Sequence, residues 1–190
     1  MDQAQRIIFE GEIRGLCLQK NYREASEKAL FEYGAEILGW LVSVVPTQQI
    51  AEDICQNFCV AFWQALPGFE WKSSLRVWAY SLARYTRNRY YRDKHRKHQP
   101  ESLSQFESEL SVGLSTMLSR LYQGQRLSQL AQLRRQLAED EQTLLILRVD
   151  RELSFREIGE VMDCEEATAR KNFQYAKNKL TNMAKEAKLI

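Results

Sequence analysis

Apolar residues recur along this chain at helical rather than strand spacing. The pattern predicts a helix from Tyr22 to Val45, closed by Pro46. Thr47 is the expected N-cap of a second helix running to about Leu66, where Pro67 and Gly68 end it. On a helical wheel, Ala51, Ile54, Cys55, Phe58, Phe62 and Leu66 share one face. Asp53, Gln56, Asn57, Val60 and Gln64 share the other, and Val60 with Trp63 at its flank marks a docking surface.

No Gly or Pro interrupts residues 69–99, and Ser73 or Ser74 can cap a long third helix there. Arg76, Tyr80, Arg84, Arg87, Tyr91, Lys94 and His98 fall within about 80° of arc. Leu75, Trp78, Ala79, Leu82, Tyr85 and Thr86 lie on the opposite side. One face is therefore expected to pack inward, while the basic, tyrosine-bearing face meets solvent. Basic side chains neutralise phosphates and aromatic rings stack on unpaired bases. Rim packing is the other reading of the tyrosines.

Gln99 and Pro100 open a Ser-, Gln- and Glu-rich stretch that reads as a flexible linker over residues 100–125, with Leu110, Leu114, Leu118 and Leu121 able to form a short helix. Helical periodicity returns at Leu127, Leu130, Leu133 and Leu137, then at Leu144, Leu145, Leu147 and Val149. Ser154-Phe155-Arg156-Glu157 is a capping box opening a short helix to Met162, with Phe155, Ile158 and Val161 inward. Asp163-Cys164 is a tight turn, and another helix starts near Glu165. Its buried stripe is Ala169, Phe173, Ala176, Leu180 and Met183. Lys171, Gln174 and Asn178 face outward, flanked by Arg170, Tyr175 and Lys177. Two helices joined by a short turn, the second presenting long donors, form a helix-turn-helix at about residues 155–174. An αα-corner in a bundle has the same spacing.

Composition narrows the class. The 190 residues hold 23 Leu and 16 Ala but only 8 Gly and 3 Pro. Such a chain favours helix and lacks the turn residues that a sandwich or barrel needs. The expected fold is all-α, with two small helical domains at residues 1–99 and 126–190. Cys17, Cys55, Cys59 and Cys164 match no zinc spacing, so no metal or cofactor is expected. The charged N-terminus is not a secretory signal and no window is apolar enough to insert in a membrane, which points to the cytoplasm. Net charge is +2. Nine Lys and Arg with one acid, Asp93, crowd between Lys72 and His98, leaving an acidic remainder. A basic surface on an acidic body suits nucleic acid. The two histidines, His95 and His98, have no acidic cluster nearby, so an enzyme is not expected.

Two blocks now resemble one family. AEDICQNFCVAFWQALPGFEWKSSLRVWAYSLARYTRNRYYRDKHRK resembles the second conserved region of the extracytoplasmic-function group of bacterial sigma factors. LRRQLAEDEQTLLILRVDRELSFREIGEVMDCEEATARKNFQYAKNKL resembles their fourth region, and the likeness spans roughly residues 20–187. It implies an alternative sigma factor that binds core RNA polymerase and directs initiation by reading and melting promoter DNA. Implied polymerase contacts are Asp53, Gln56, Asn57 and Val60 on the clamp helices of the largest subunit, with the flap as a second contact. Implied minus-ten contacts are the Phe69–Ser74 loop with Arg76, Tyr80, Arg84, Tyr85, Arg87, Tyr91 and Lys94. Arg170, Lys171, Gln174, Tyr175 and Lys177 would meet the minus-thirty-five element. The family often has a cognate anti-sigma factor that masks both domains. The competing reading is a helix-turn-helix regulator that acts without stable polymerase association.

Overall fold

The computed structural model describes residues 1–95 and 129–187. The linker expected at 100–125, the leucines at 110–127 and His98 lie outside the described residues.

Four helices form the N-terminal unit. Asp2 caps α1 (Gln3–Leu18) by accepting from the Gln5 amide at 2.8 Å, while the Gln5 side chain accepts from the Asp2 amide. Lys20 takes a left-handed turn with φ 60°, and Asn21 caps α2 (Tyr22–Val44). Pro46 follows, and Thr47 caps α3 (Gln48–Ala65) as expected. A 3-10 turn at Leu66–Gly68 ends it. The Ser74 hydroxyl accepts from the Val77 amide at 3.2 Å to open α4 (Leu75–His95). α4 has a second cap from a distant element: the Glu10 carboxylate on α1 accepts from the amides of Leu75 at 2.9 Å and Arg76 at 3.0 Å.

The C-terminal unit holds α5 (Gln129–Arg134), α6 (Glu139–Leu145), a π-helical turn at Ile146–Asp150, α7 (Phe155–Met162) and α8 (Glu166–Glu186). The apolar run after Leu144 does not continue as one α-helix. The π turn rotates Val149 outward to 61% exposure, whereas Ile146 and Leu147 stay buried. The capping box at Ser154 forms with Glu157, and Asp163 closes α7 in the left-handed conformation, φ 55° and ψ 52°. Behind α8, Leu137, Leu145 and Ala176 make a small core with Phe173, Leu180 and Met183.

Each unit is helical, and no strand occurs among the described residues. The two share one continuous core. Trp40, Tyr80, Phe58 and Phe62 belong to the same buried cluster as Leu144, Ile146, Leu147, Leu153, Ile158 and Val161. α2 lies at its centre and packs on α1, α3, α4 and α6, while α7 packs on α4.

Candidate nucleic-acid interface

Three surfaces carry the expected contacts. On α3 the inward residues Ala51, Ile54, Cys55, Phe58, Phe62 and Leu66 are all buried. Gln56 is exposed, and Asp53, Asn57 and Val60 are half-buried on the outward side. Asp53 accepts from the Tyr90 hydroxyl at 3.4 Å and from Gln49 Nε2 at 3.1 Å, which fixes this face to the later part of α4.

On α8, Arg170, Lys171, Gln174, Tyr175 and Lys177 are all exposed. The Arg170 guanidinium lies 4.7 Å over the Phe155 ring and pairs with Glu166 at 2.7 Å. Gln174 donates to Asn178 at 3.0 Å. The geometry of the motif depends on Gly159, because a Cβ there would sit 2.6 Å from the Cys164 carbonyl oxygen.

On α4 the expected inward face is covered, with Leu75, Ala79 and Thr86 buried and Trp78 and Leu82 half-buried, but most of the face expected to meet solvent is covered as well. Arg76, Tyr80 and Arg87 are buried, at 6%, 1% and 5% exposure, and Arg84 and Tyr91 are half-buried. Tyr85, assigned to the apolar side of the wheel, is 57% exposed. The wheel finds two faces on α4 but does not say that both are covered. Glu36 of α2 and, from the C-terminal unit, Glu139, Asp140 and the Arg151 carbonyl take up the arginine face. The side chain of Lys94 lies outside the described residues. Asn88, Arg89 and Arg92 join Tyr85 on the solvent side, a row the sequence reading passed over. They lie at i+3, i+4 and i+7 from Tyr85, and that spacing within the basic run was the available signal.

The loop before α4 is held by stacked rings. Phe69 stacks on Trp78 at 4.5 Å between centroids, with Trp71 at 4.8 Å from Phe69 and Phe62 at 5.0 Å from Trp78. Trp71 adopts φ 58°, and Arg14 lies 5.8 Å over its ring.

The covered face has its own chemistry. Glu36 Oε1 on α2 accepts from Arg76 Nε at 2.8 Å and from the Tyr80 hydroxyl at 2.9 Å. Arg151 Nε donates to the Tyr80 oxygen at 3.1 Å, and Arg76 Nη1 donates to the Arg151 carbonyl at 3.0 Å. Trp40 Nε1 donates to Thr143 Oγ1 at 3.2 Å. Arg87 Nε donates to Glu139 Oε1 at 3.1 Å, with a second guanidinium contact to the same carboxylate. Arg84 Nη2 reaches Asp140 Oδ1 at 3.4 Å. Burial lowers the Arg87 guanidinium from its ordinary value, with Asp140 and Tyr91 opposing. Burial and the adjacent Glu36 carboxylate push the Tyr80 phenol far above its usual range. Glu36, Trp40, Glu139, Asp140, Thr143 and Arg151 carried no sequence signal of this role, since a contact between distant helices leaves no local periodicity.

Comparison with known proteins fits this architecture. Residues 30–97 match the family described as sigma-70 region 2. RNA polymerase sigma factor YlaC of Bacillus subtilis is 29% identical over 141 residues, covering 74% of this chain and 81% of that protein. RNA polymerase sigma-H factor of Pseudomonas aeruginosa is 25% identical over 159 residues, covering 80% of this chain and 82% of that one. The fold is similar to that of the sigma factor RpoE of Bartonella quintana, solved in complex with the anti-sigma factor NepR, with a TM-score of 0.62 over 82% of this chain and 94% of that one at 18% identity. Residues 30–97 thus carry a sigma-70 region 2, and most of the chain is similar to extracytoplasmic-function-type RNA polymerase sigma factors. An alternative sigma factor that directs transcription initiation is the role that these likenesses support. Among the described residues, no helix is long and apolar enough to cross a membrane.

Proposed function

We propose that the two units divide promoter recognition between them. The N-terminal unit, within residues 1–99, holds core polymerase and reads and melts the minus-ten element. The C-terminal unit, within 126–190, reads the minus-thirty-five element and meets the flap. Asp53, Gln56, Asn57 and Val60 dock on the clamp helices. Tyr85, with Asn88, Arg89 and Arg92 beside it, combines a ring for an unstacked base with charge for its phosphates. A cognate anti-sigma protein is a further partner of this reading, by likeness to the Bartonella complex. The work belongs in the cytoplasm, where polymerase meets DNA.

The observation that carries this reading is the exposed donor row Arg170, Lys171 and Gln174 on α8, placed just beyond the left-handed turn at Asp163. Lysine and arginine can pair with guanine edges and glutamine with adenine. The test is transcription by core polymerase with this chain on a promoter library randomised in the minus-thirty-five element. Alanine at a base-reading position relaxes preference at one base pair, at a cost of about 1–3 kcal/mol. A uniform loss in all three alanine variants, with the preferred sequence unchanged, counts against α8 as the reader.

A further inference from the structure

We propose that Glu10 and Arg14 of α1 are positioning residues of the minus-ten reader, holding the Phe69–Ser74 loop in the shape in which it meets the melted strand. This rests on the reading of that loop, with α4, as the minus-ten surface. α1 precedes residues 30–97, the stretch that matches sigma-70 region 2. The loop is fixed at its entry, its middle and its exit. Phe69 anchors the entry by stacking on Trp78. In the middle, the Trp71 ring touches Phe69 and lies under the Arg14 guanidinium. At the exit, Glu10 Oε2 accepts from the Leu75 amide and Oε1 from the Arg76 amide. Two of the three anchors therefore come from α1.

Ser74 takes only the Val77 amide. With Glu10 on Leu75 and Arg76, the first three amides of α4 are all held, two of them by another helix. The Tyr33 hydroxyl also donates to Glu10 Oε1 at 2.9 Å, and Tyr33 is buried with Phe9 against its ring. The carboxylate thus has three donors and cannot swing away without stranding them. Trp71 has φ 58°, a conformation that strains a bulky residue and persists only where its surroundings impose it. Arg14 is exposed, and the Trp71 ring is the contact that places it. Glu70 and Lys72, on either side of Trp71, are exposed and pair with each other. Their charges cancel, so the loop presents a fixed ring rather than a cationic patch. A loop held in one shape favours one base, whereas a loop of several shapes accommodates several. Glu10 and Arg14 therefore act on which base is taken, through Trp71 and the start of α4, without touching DNA.

The test uses the full chain with core polymerase and a promoter library randomised in the minus-ten element. Glu10→Gln keeps the shape of the side chain but removes its charge and one of its two acceptor oxygens. Arg14→Ala removes the cation over Trp71 from an exposed position, so it serves even where Glu10→Gln fails to fold. Glu12→Gln is the control, an acid on the same helix that pairs with Lys28 instead. Affinity for core polymerase is expected to stay at the parent value in all three. Fork-junction DNA with a single-stranded minus-ten region is expected to bind the Glu10→Gln and Arg14→Ala holoenzymes about tenfold more weakly, because a smaller fraction of loops has the binding shape. Base preference flattens where the loop meets the minus-ten element, while Glu12→Gln keeps the parental preference. The salt slope of binding stays parental, because no phosphate contact is lost. A slope that falls by about one in Arg14→Ala overturns the positioning role in favour of a direct phosphate contact. Parental base preference in both α1 variants overturns the proposal, as does a loss of core affinity large enough to account for the weaker DNA binding. Trp71→Ala separates the two readings. If it also keeps the parental preference, the fault lies in assigning the loop to the minus-ten element; if it alone flattens the preference, the fault lies in the role given to α1.

Discussion

Glu36 is the residue on which most buried polar groups of the α4 face converge. It accepts from Arg76 and Tyr80, and Arg151 lies 3.6 Å away. Arg76 is 6% exposed, so removing its partner strands a charge out of water. Glu36→Ala is expected to cost about 3–5 kcal/mol in urea unfolding, while Arg76→Met with Glu36→Leu costs less than the single change. The phenols give a pH signature. Burial raises both Tyr80 and Tyr33, each assisted by the carboxylate that accepts from its hydroxyl, Glu36 and Glu10 respectively. The unfolded chain loses these protons near pH 10 and the folded chain does not. Their contribution to stability is full below that pH and falls as pH rises above it. Urea midpoints between about pH 8 and 11 read this loss, and Tyr80→Phe makes the slope shallower.

At the level of elements, the helix-turn-helix depends on two backbone positions. Asp163 has φ 55°, a conformation that glycine adopts without strain. Asp163→Gly is expected to leave stability unchanged or raise it by up to about 1 kcal/mol, and Asp163→Val to lower it by about 1–2 kcal/mol. At Gly159 the nearest atom to an added Cβ is a backbone carbonyl, which has little freedom to move aside. Gly159→Ala is expected to cost about 1–3 kcal/mol in thermal unfolding and to weaken duplex binding, through displacement of α8 against α7. The start of α4 shows a different dependence. Ser74 is a local cap for the Val77 amide that the sequence reveals, whereas Glu10 takes the Leu75 and Arg76 amides from α1, 65 residues before Leu75 in the chain. The N-cap at Ser74 could be read from residue type and position; the contribution of Glu10 could not.

For the whole molecule, a core that runs from Trp40 and Tyr80 through Leu144, Ile146 and Ile158 couples the two units. Calorimetry of the parent is expected to show one transition with equal calorimetric and van't Hoff enthalpies. Thr143→Val removes the partner of the fully buried Trp40 indole nitrogen and leaves that donor unsatisfied. It is expected to cost about 1–3 kcal/mol and to broaden or split the transition, because the lost bond joins the units. A Thr143→Val protein that still melts as one sharp transition at the parent temperature would show that this bond contributes nothing to the coupling.

Properties that depend on near neighbours in the chain were set by the amino-acid order itself. Pro46, Thr47 and the Pro67-Gly68 pair bound α3, and the Ser154–Glu157 box opens α7. The exposed row on α8 follows from apolar residues spaced to bury Ala169 and Ala176. Each is a short-range matter of capping, backbone geometry or a single buried stripe. α4 lies beyond that range. It carries basic and aromatic side chains on more than one face, so a wheel finds amphipathicity without finding the inside. Arg76, Tyr80 and Arg87 turned inward because Glu36, Glu139 and the Arg151 carbonyl were waiting there with acceptors. A buried guanidinium is tolerated only where such partners converge, and these come from α2, α6 and the turn before α7. Which side of α4 faces water was therefore decided by the tertiary docking of two units, since the desolvation cost of each arginine is set by groups far away in the sequence.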